Sequence, residues 1–191
     1  RGQAPWPAMQ QAPLWLLPTT AGTGSELTRW ATVWDTEAQP PVKRSLDEPW
    51  GYAQRAFVDP ALTLSCPAAL TRDTALDTLA HALEALWNRH ANPVSTELAV
   101  AAATRVLTHL PALLAQPQDL GLRTQMSLAA VQAGMAFSQT RTALAHALSY
   151  DLTLHQGLPH GLACAVWLSR ACQLAIGHSP ALDAALQRVF G

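Results

Sequence analysis

Asp77-Thr78-Leu79-Ala80-His81 is the stretch on which the fold of this chain turns, inside the longer run Leu70-Thr71-Arg72-Asp73-Thr74-Ala75-Leu76-Asp77-Thr78-Leu79-Ala80-His81-Ala82-Leu83-Glu84. Asp77 and His81 stand four apart, so on a helix from Thr71 to Asn88 their side chains lie one above the other on a single face. Taken alone, such a pair is more often a local helix contact than half a metal site. Two further histidines change its weight. His146 and His160 are fourteen residues apart, with Gly157-Leu158-Pro159 just before the second, so a helix, a turn and a new helix start can bring both imidazoles to one point. One carboxylate and three neutral imidazoles suit a divalent first-row metal, iron or zinc, with a position left open for substrate.

The surroundings of this run are helical. From Pro60 onward alanine and leucine dominate, and Pro67, Pro93, Pro111, Pro117, Pro159 and Pro180 mark joints between segments of helix length. Helices are expected over residues 71 to 89, 94 to 109, 120 to 138, 141 to 150, 160 to 176 and 180 to 190, with Thr71 as the first N-cap. Glu84 follows His81 by three, placed either to orient a ligand from behind or to face Arg89. Gly134 within the apolar stretch Met126 to Phe137 predicts close helix packing. His90, His109, His155 and His178 lack the spacing of the four-residue set, although His155 lies between two of its members.

Ahead of a boundary near residue 60 the pattern differs. Residues 1 to 13 hold three prolines among Gln and Ala and read as a linker or ragged end. Leu14-Trp15-Leu16-Leu17 is a short apolar strand candidate that runs into Pro18-Thr19-Thr20-Ala21-Gly22-Thr23-Gly24-Ser25-Glu26. Hydroxyls beside glycines allow a backbone to approach a phosphate or ribose closely, or form an ordinary turn. Thr28 to Trp34 and Ala56-Phe57-Val58 read as strands flanking a polar turn that carries Lys43.

Composition removes several classes. With 49% hydrophobic and 13% charged residues the 191-residue chain suits a packed domain with extensive helix or subunit contacts, not disorder. A net charge of −1 without a basic cluster leaves no electrostatic case for nucleic acid or an acidic membrane surface. No apolar run is expected to reach bilayer-spanning length. The three cysteines, Cys66, Cys164 and Cys172, form no disulfide framework and point to a reducing, cytoplasmic setting. Cys164 and Cys172, eight apart in an apolar helical pattern, read as core packing and not ligation. The chain starts at Arg1 and stops after a helical segment, so a piece of a longer polypeptide is expected.

Three separated motifs carry a family resemblance. The run Leu70 to Glu84 resembles the metal-binding helix of iron-containing (group III) alcohol dehydrogenases, Pro159-His160-Gly161 is similar to that family's last ligand motif, and Pro18 to Glu26 is similar to its nicotinamide-side loop. Residues Ala133 to Ser138, followed eight residues later by His146, fit the same pattern. The resemblance implies a mainly α chain: the helical metal-binding domain of a dehydroquinate synthase-like fold over residues 61 to 191, preceded over residues 1 to 60 by the β-containing end of an α/β nucleotide-binding domain. It implies Asp77, His81, His146 and His160 as ligands of a divalent metal, Fe2+ or Zn2+, and Thr19, Thr20, Gly22, Thr23 and Lys43 as contacts of NAD(H) or NADP(H). The implied chemistry is hydride transfer to a small aldehyde polarised by the metal, or the reverse with an alcohol, in a homodimer.

The chain also departs from the family. A further histidine usually follows the third ligand by four; Tyr150 stands there and is the candidate hydroxyl donor for proton movement. The family's Gly-Gly-Gly-Ser phosphate turn has no counterpart in the sequence. Trp87-Asn88-Arg89-His90-Ala91-Asn92-Pro93-Val94-Ser95 and His146-Ala147-Leu148-Ser149-Tyr150 resemble the branch associated with phosphonoacetaldehyde reduction, which requires cationic anchors among Arg29, Arg89 and Arg141. Two readings of other classes stand beside the dehydrogenase: a non-catalytic metal-binding or assembly fragment, and a metal-dependent lyase or hydrolase of the dehydroquinate synthase-like group.

Overall fold

The computed structural model describes residues 13–191, and the linker expected over residues 1 to 13 lies almost wholly outside them. Four strands come first: β1 (Trp15–Leu16), β2 (Trp30–Asp35), β3 (Val42–Asp47) and β4 (Arg55–Ala56). Six helices follow: α1 (Ala68–Leu86), α2 (Pro93–Ala115), α3 (Leu120–Thr140), α4 (Leu144–Gln156), α5 (His160–Ala175) and α6 (Pro180–Phe190). The mainly α expectation therefore holds, and each expected helix is present, the last with the expected ends and the others with at least one end shifted.

Those shifts have local causes. Helix α1 begins at Ala68, so Thr71 is inside it and caps nothing; its hydroxyl donates to the Cys66 carbonyl (3.3 Å) and accepts from Arg123 Nη1 (2.9 Å). Helix α2 starts in a capping box, the Asn92 side chain accepting from Val94 N and Ser95 N while Ser95 Oγ accepts from Asn92 N, with Pro93 at the first helical position. It then runs through Pro111, where a break was expected. Pro111 and Leu107, whose carbonyl loses its partner, are both exposed, and that is the side on which water replaces a lost backbone bond at least cost. Continuing to Ala115 makes α2 long and apolar enough to cross a bilayer by length and composition, with mean hydropathy 1.5, which corrects the expectation of no such run. Here α2 packs on α1, α3 and α6, with 33% of that apolar stretch buried. Helix α4 begins at Leu144 instead of residue 141, because Arg141 takes φ 76°, a left-handed value rare outside glycine, and breaks the chain sharply after α3.

Helix α1 is the axis of the molecule. It packs against α2, α3 and α5, and everything from Asp77 to Leu86 along it is buried. Alanines at 80, 82 and 85 keep it thin where neighbours cross.

The strand region differs from expectation in one respect. Residues 42–47, read as polar turn, form β3, which pairs antiparallel with β2 in the register Trp30↔Asp47 to Asp35↔Val42. Val-Lys-Arg-Ser-Leu-Asp carries few strand-forming residues; pairing with the aromatic β2 supplies what its own propensity lacks. The segment near Ala56 pairs instead with β1, in parallel.

Candidate metal centre

Asp77 and His81 face inward from the middle of α1, His146 projects from the first turn of α4, and His160 opens α5. One oxygen, Asp77 Oδ1, lies 3.4 Å from His146 Nε2, 3.8 Å from His81 Nε2 and 3.8 Å from His160 Nε2. The four residues proposed from spacing are therefore brought together. His81 is held between the Phe137 ring (centroids 4.0 Å apart) and the His146 ring (4.5 Å). Only His160 is part-exposed, at 31% for its side chain against 7% or less for the other three.

Two devices fix this geometry. Glu84, wholly buried on α1, accepts hydrogen bonds from the backbone N–H groups of Ala143, Ala145 and His146, so α4 is capped by a carboxylate from another helix. The same carboxylate meets His146 Nδ1 at 2.7 Å, which turns Nε2 toward Asp77. The second device is Gly161. A side chain there would overlap the Asp73 carbonyl and lie 3.0 Å from Asp77 Cβ, so only glycine lets α5 approach α1 closely enough to bring His160 to Asp77.

The polar arrangement is incomplete by itself. Asp77 Oδ1, His81 Nδ1 and His146 Nε2 are buried without a hydrogen-bond partner among the described residues. Orphaned polar atoms in a dry interior are costly, and Asp77 Oδ1 and His146 Nε2, 3.4 Å apart with His81 Nε2 and His160 Nε2 each 3.8 Å from the same oxygen, are what a bound cation would satisfy. The donor set of carboxylate and imidazoles also fits a divalent first-row metal.

Electrostatics agree. Burial alone would raise the Asp77 carboxyl, but the charges of His81, His146 and His160 outweigh it and hold Asp77 well below the usual carboxylate range. Burial lowers His81 to about 4, partly opposed by Asp77. Burial would also lower His146, yet the pull of Asp77, Cys164 and Glu84 leaves it well above its ordinary value; of these only Glu84 is aligned as a full hydrogen bond. An imidazole between two buried carboxylates, Asp77 and Glu84, carries the compensating positive charge, and a divalent cation would supply the same compensation.

One residue read from sequence as core packing belongs to this cluster. The ligand atoms of Asp77, His146, His160 and Cys164 lie within 4.8 Å of one another, a quartet that does not include His81. Burial raises the Cys164 thiol, and the neighbouring His146 and His160 bring it down to about 7. The signal was present in the sequence: Cys164 follows His160 by four, the spacing already used for Asp77 and His81.

The part-open side is lined from the β2–β3 hairpin. Trp34 and Lys43 are a cross-strand pair. Trp34 meets His160 edge-on (6.1 Å) and Tyr150 likewise (6.0 Å), and Lys43 Nζ donates to Tyr150 Oη (2.9 Å) while lying 4.0 Å above its ring. Lys43 is thus on a strand, not in a turn, and Trp34 is a wall residue that sequence reasoning did not single out.

The Thr/Gly loop lies along the ligand helix. Gly22 rests against Thr74, Gly24 (φ 59°) backs directly onto Gly134 of α3, and the Thr78 hydroxyl donates weakly to the Ala21 and Gly22 carbonyls. Thr23 exchanges hydrogen bonds with Ser25, whereas the Thr19 and Thr20 hydroxyls make none among the described residues. Burial pushes the Glu26 carboxyl up at the loop's end. The arginines considered as anion anchors are engaged: Arg29 (2.6 Å) and Arg141 (2.8 Å) share Asp47, and Arg89 Nε meets His90 Nε2 at 3.1 Å. His155 is exposed beside Asp151, away from the cluster.

Comparison with known proteins identifies the family. The family described as Fe-containing alcohol dehydrogenase, C-terminal, matches residues 71–189. The chain is 39% identical over 153 residues to 1-propanol dehydrogenase of Citrobacter freundii, covering 80% of the chain and 41% of that protein. It is 35% identical over 176 residues to phosphonoacetaldehyde reductase of Streptomyces viridochromogenes, covering 92% and 44%. The crystal structure of an iron-containing alcohol dehydrogenase from Thermotoga maritima superposes with a TM-score of 0.84 at 34% identity, over 96% of this chain and 49% of that one. The chain spans under half the length of each of these relatives. With Asp77, His81, Glu84 and Gly161 all inside the matched region, the chain belongs to the Fe-containing alcohol dehydrogenase family.

Proposed function

We propose that this chain carries the metal-binding part of an NAD(P)-linked alcohol dehydrogenase or aldehyde reductase acting on a small aldehyde or alcohol. The carrying observation is the gathering of the Nε2 atoms of His81, His146 and part-open His160 around the buried Asp77 Oδ1, with Asp77 Oδ1 and His146 Nε2 left unpartnered. Asp77, His81, His146 and His160 would hold the divalent cation, Fe2+ in keeping with the family and Zn2+ as the alternative. Such a cation, when bound, supplies Lewis acidity toward a substrate oxygen. A nicotinamide cofactor, when bound, carries the hydride.

The chain's own residues do the rest. Glu84 holds the His146 ring in place, and Gly161 sets the distance between α1 and α5. Trp34 walls the opening and excludes water from the side of His160. Tyr150 presents a phenol there as the candidate proton donor, steadied by Lys43, whose ammonium also attracts an anionic cofactor group. Thr19, Thr20, Gly22 and Thr23 are assigned to the nicotinamide side, on a loop anchored next to the ligand helix. Residues up to 60 are taken as the end of the nucleotide-binding domain and residues 61–191 as the metal domain. A homodimer is part of this reading, supported by exposed apolar side chains such as Val166, Leu174, Ile176 and Phe190.

A phosphonate-bearing aldehyde is the second substrate reading. Identity of 35% with phosphonoacetaldehyde reductase favours it, while the engagement of Arg29 and Arg141 by Asp47 leaves Lys43 as the cation beside Tyr150 and Trp34.

Elemental analysis of the purified chain beside an Asp77→Ala/His81→Ala variant is the first test. About one equivalent of iron or zinc in the parent and little in the variant is expected. No metal in the parent after anaerobic reconstitution with either ion would remove the reading, and turnover by the full-length protein without NAD(P)H would move it to the lyase or hydrolase class.

A further inference from the structure

The three imidazoles gathered at Asp77 are held in different ways. His81 is clamped between the Phe137 and His146 rings, and the His146 ring leans on Glu84. His160 stands at the first position of α5, its Nε2 3.8 Å from Asp77 Oδ1, and meets Trp34 edge-on at 6.1 Å. Neither contact decides which of its two ring nitrogens carries the proton and which keeps the lone pair a cation needs.

The group that reaches the other nitrogen is Ser149. It is fully buried on α4, three residues after His146, and its hydroxyl donates to the His146 carbonyl (2.7 Å). A serine inside a helix often closes such a bond onto the preceding turn, and by itself the bond is local. Here it has a second effect. A hydroxyl carries one proton and, with that proton committed to the His146 carbonyl, Ser149 Oγ can only accept. Its neighbour is His160 Nδ1 at 3.4 Å, a long hydrogen bond that places the N–H on Nδ1 and leaves the Nε2 lone pair toward Asp77. The Cys164 thiol lies farther from the same nitrogen, at 4.0 Å.

We propose that Ser149 is the positioning residue for His160, fixing Nε2 as its cation-binding nitrogen. The inference rests on the metal reading above, with Asp77, His81, His146 and His160 all as ligands. His146 and Ser149 share one turn of α4, so the Glu84 carboxylate that caps this turn orients His146 directly and His160 through Ser149. Two ligands on different helices thereby answer to one buried glutamate on α1, the helix that supplies the other two. Ser149 acts on how tightly, and through which atom, His160 holds the ion.

Zinc titration and histidine-ring nitrogen NMR of the zinc-loaded chain test this. In the parent the His160 ring is expected to show a metal-bound Nε2 and a protonated Nδ1. Ser149→Ala, with unchanged far-ultraviolet circular dichroism, is expected to bind zinc about tenfold more weakly and to lose it to excess chelator about tenfold faster. Its His160 Nδ1–H signal is expected to vanish through exchange with water while the His81 and His146 signals keep their places. Coordination of His160 through Nδ1 in the parent would overturn the role of Ser149 while leaving the metal centre standing. So would a Ser149→Ala chain that matches the parent in affinity and stripping rate, or one whose weakening disturbs all three rings alike. No zinc uptake by the parent would overturn both.

Discussion

The helical region and the strand region of this chain handle their polar groups in opposite ways. In the strands every prominent charge is answered at or near the surface: Asp47 takes Arg29, Arg141 and the Trp30 indole N–H, and Asp35 takes Arg44. What the strands leave unfinished is apolar, with Trp15, Leu17, Val33, Trp50, Tyr52 and Phe57 exposed. The helices bury a continuous apolar core while Val166, Leu174 and Phe190 stay exposed, and among the described residues only the helices leave buried polar side-chain atoms open, at Asp77, His81 and His146 among others. Unfinished apolar surface asks for more protein, whereas unfinished buried polar atoms ask for an ion. Exposed apolar side chains thus occur in both halves, whereas the unpartnered buried polar atoms are confined to the helices among the described residues.

Removing the charge on which the helical half depends should break the contrast most. Glu84→Ala leaves three backbone donors and the His146 ring without their acceptor, and a loss of about 3–5 kcal/mol in urea unfolding is expected, with Glu84→Gln losing much less. A Glu84→Ala chain within about 1 kcal/mol of the parent would show that α4 holds its place without the cap. Gly161→Ala comes next. Overlap with the Asp73 carbonyl should cost about 2–3 kcal/mol and weaken cation binding about tenfold or more by drawing His160 away from Asp77, read by denaturation and by metal titration on the same sample. The smallest effect belongs to the strand side. Tyr150→Phe deletes one part-buried hydrogen bond to Lys43, so unfolding should shift by about 0.5 kcal/mol while metal content stays level. A large stability loss there would mean that the hairpin is as firmly built in as the helices.

Much of this was legible beforehand, for reasons that can be named. Helices separated by proline and rich in alanine declare themselves, and the Asp77/His81 spacing places both side chains on one face before any tertiary structure is known. Gly134 reads as close helix packing and Gly22 and Gly24 as an approach to a phosphate or ribose; in the structure Gly134 meets Gly24 and Leu27 of the loop, and Gly22 meets Thr74 of α1. Besides Trp34 and Cys164, three features escaped. β3 is too polar to look like a strand and exists by pairing with β2. Pro111 reads as a stop, yet on a water-facing side it is tolerated. Glu84 was seen as a neighbour of the ligands, but that it caps a helix beginning some sixty positions later depends on where α4 falls in space, which no local pattern encodes.

His160 alone among the four gathered residues reaches water, and it occupies the first position of α5, directly after Pro159. A side chain at a helix start can swing without disturbing the turns behind it. If the cluster holds a cation as proposed, His160 is the member past which the ion would enter and leave. With chelator in excess, the rate of stripping is then expected to follow that swing and to stop rising with chelator concentration.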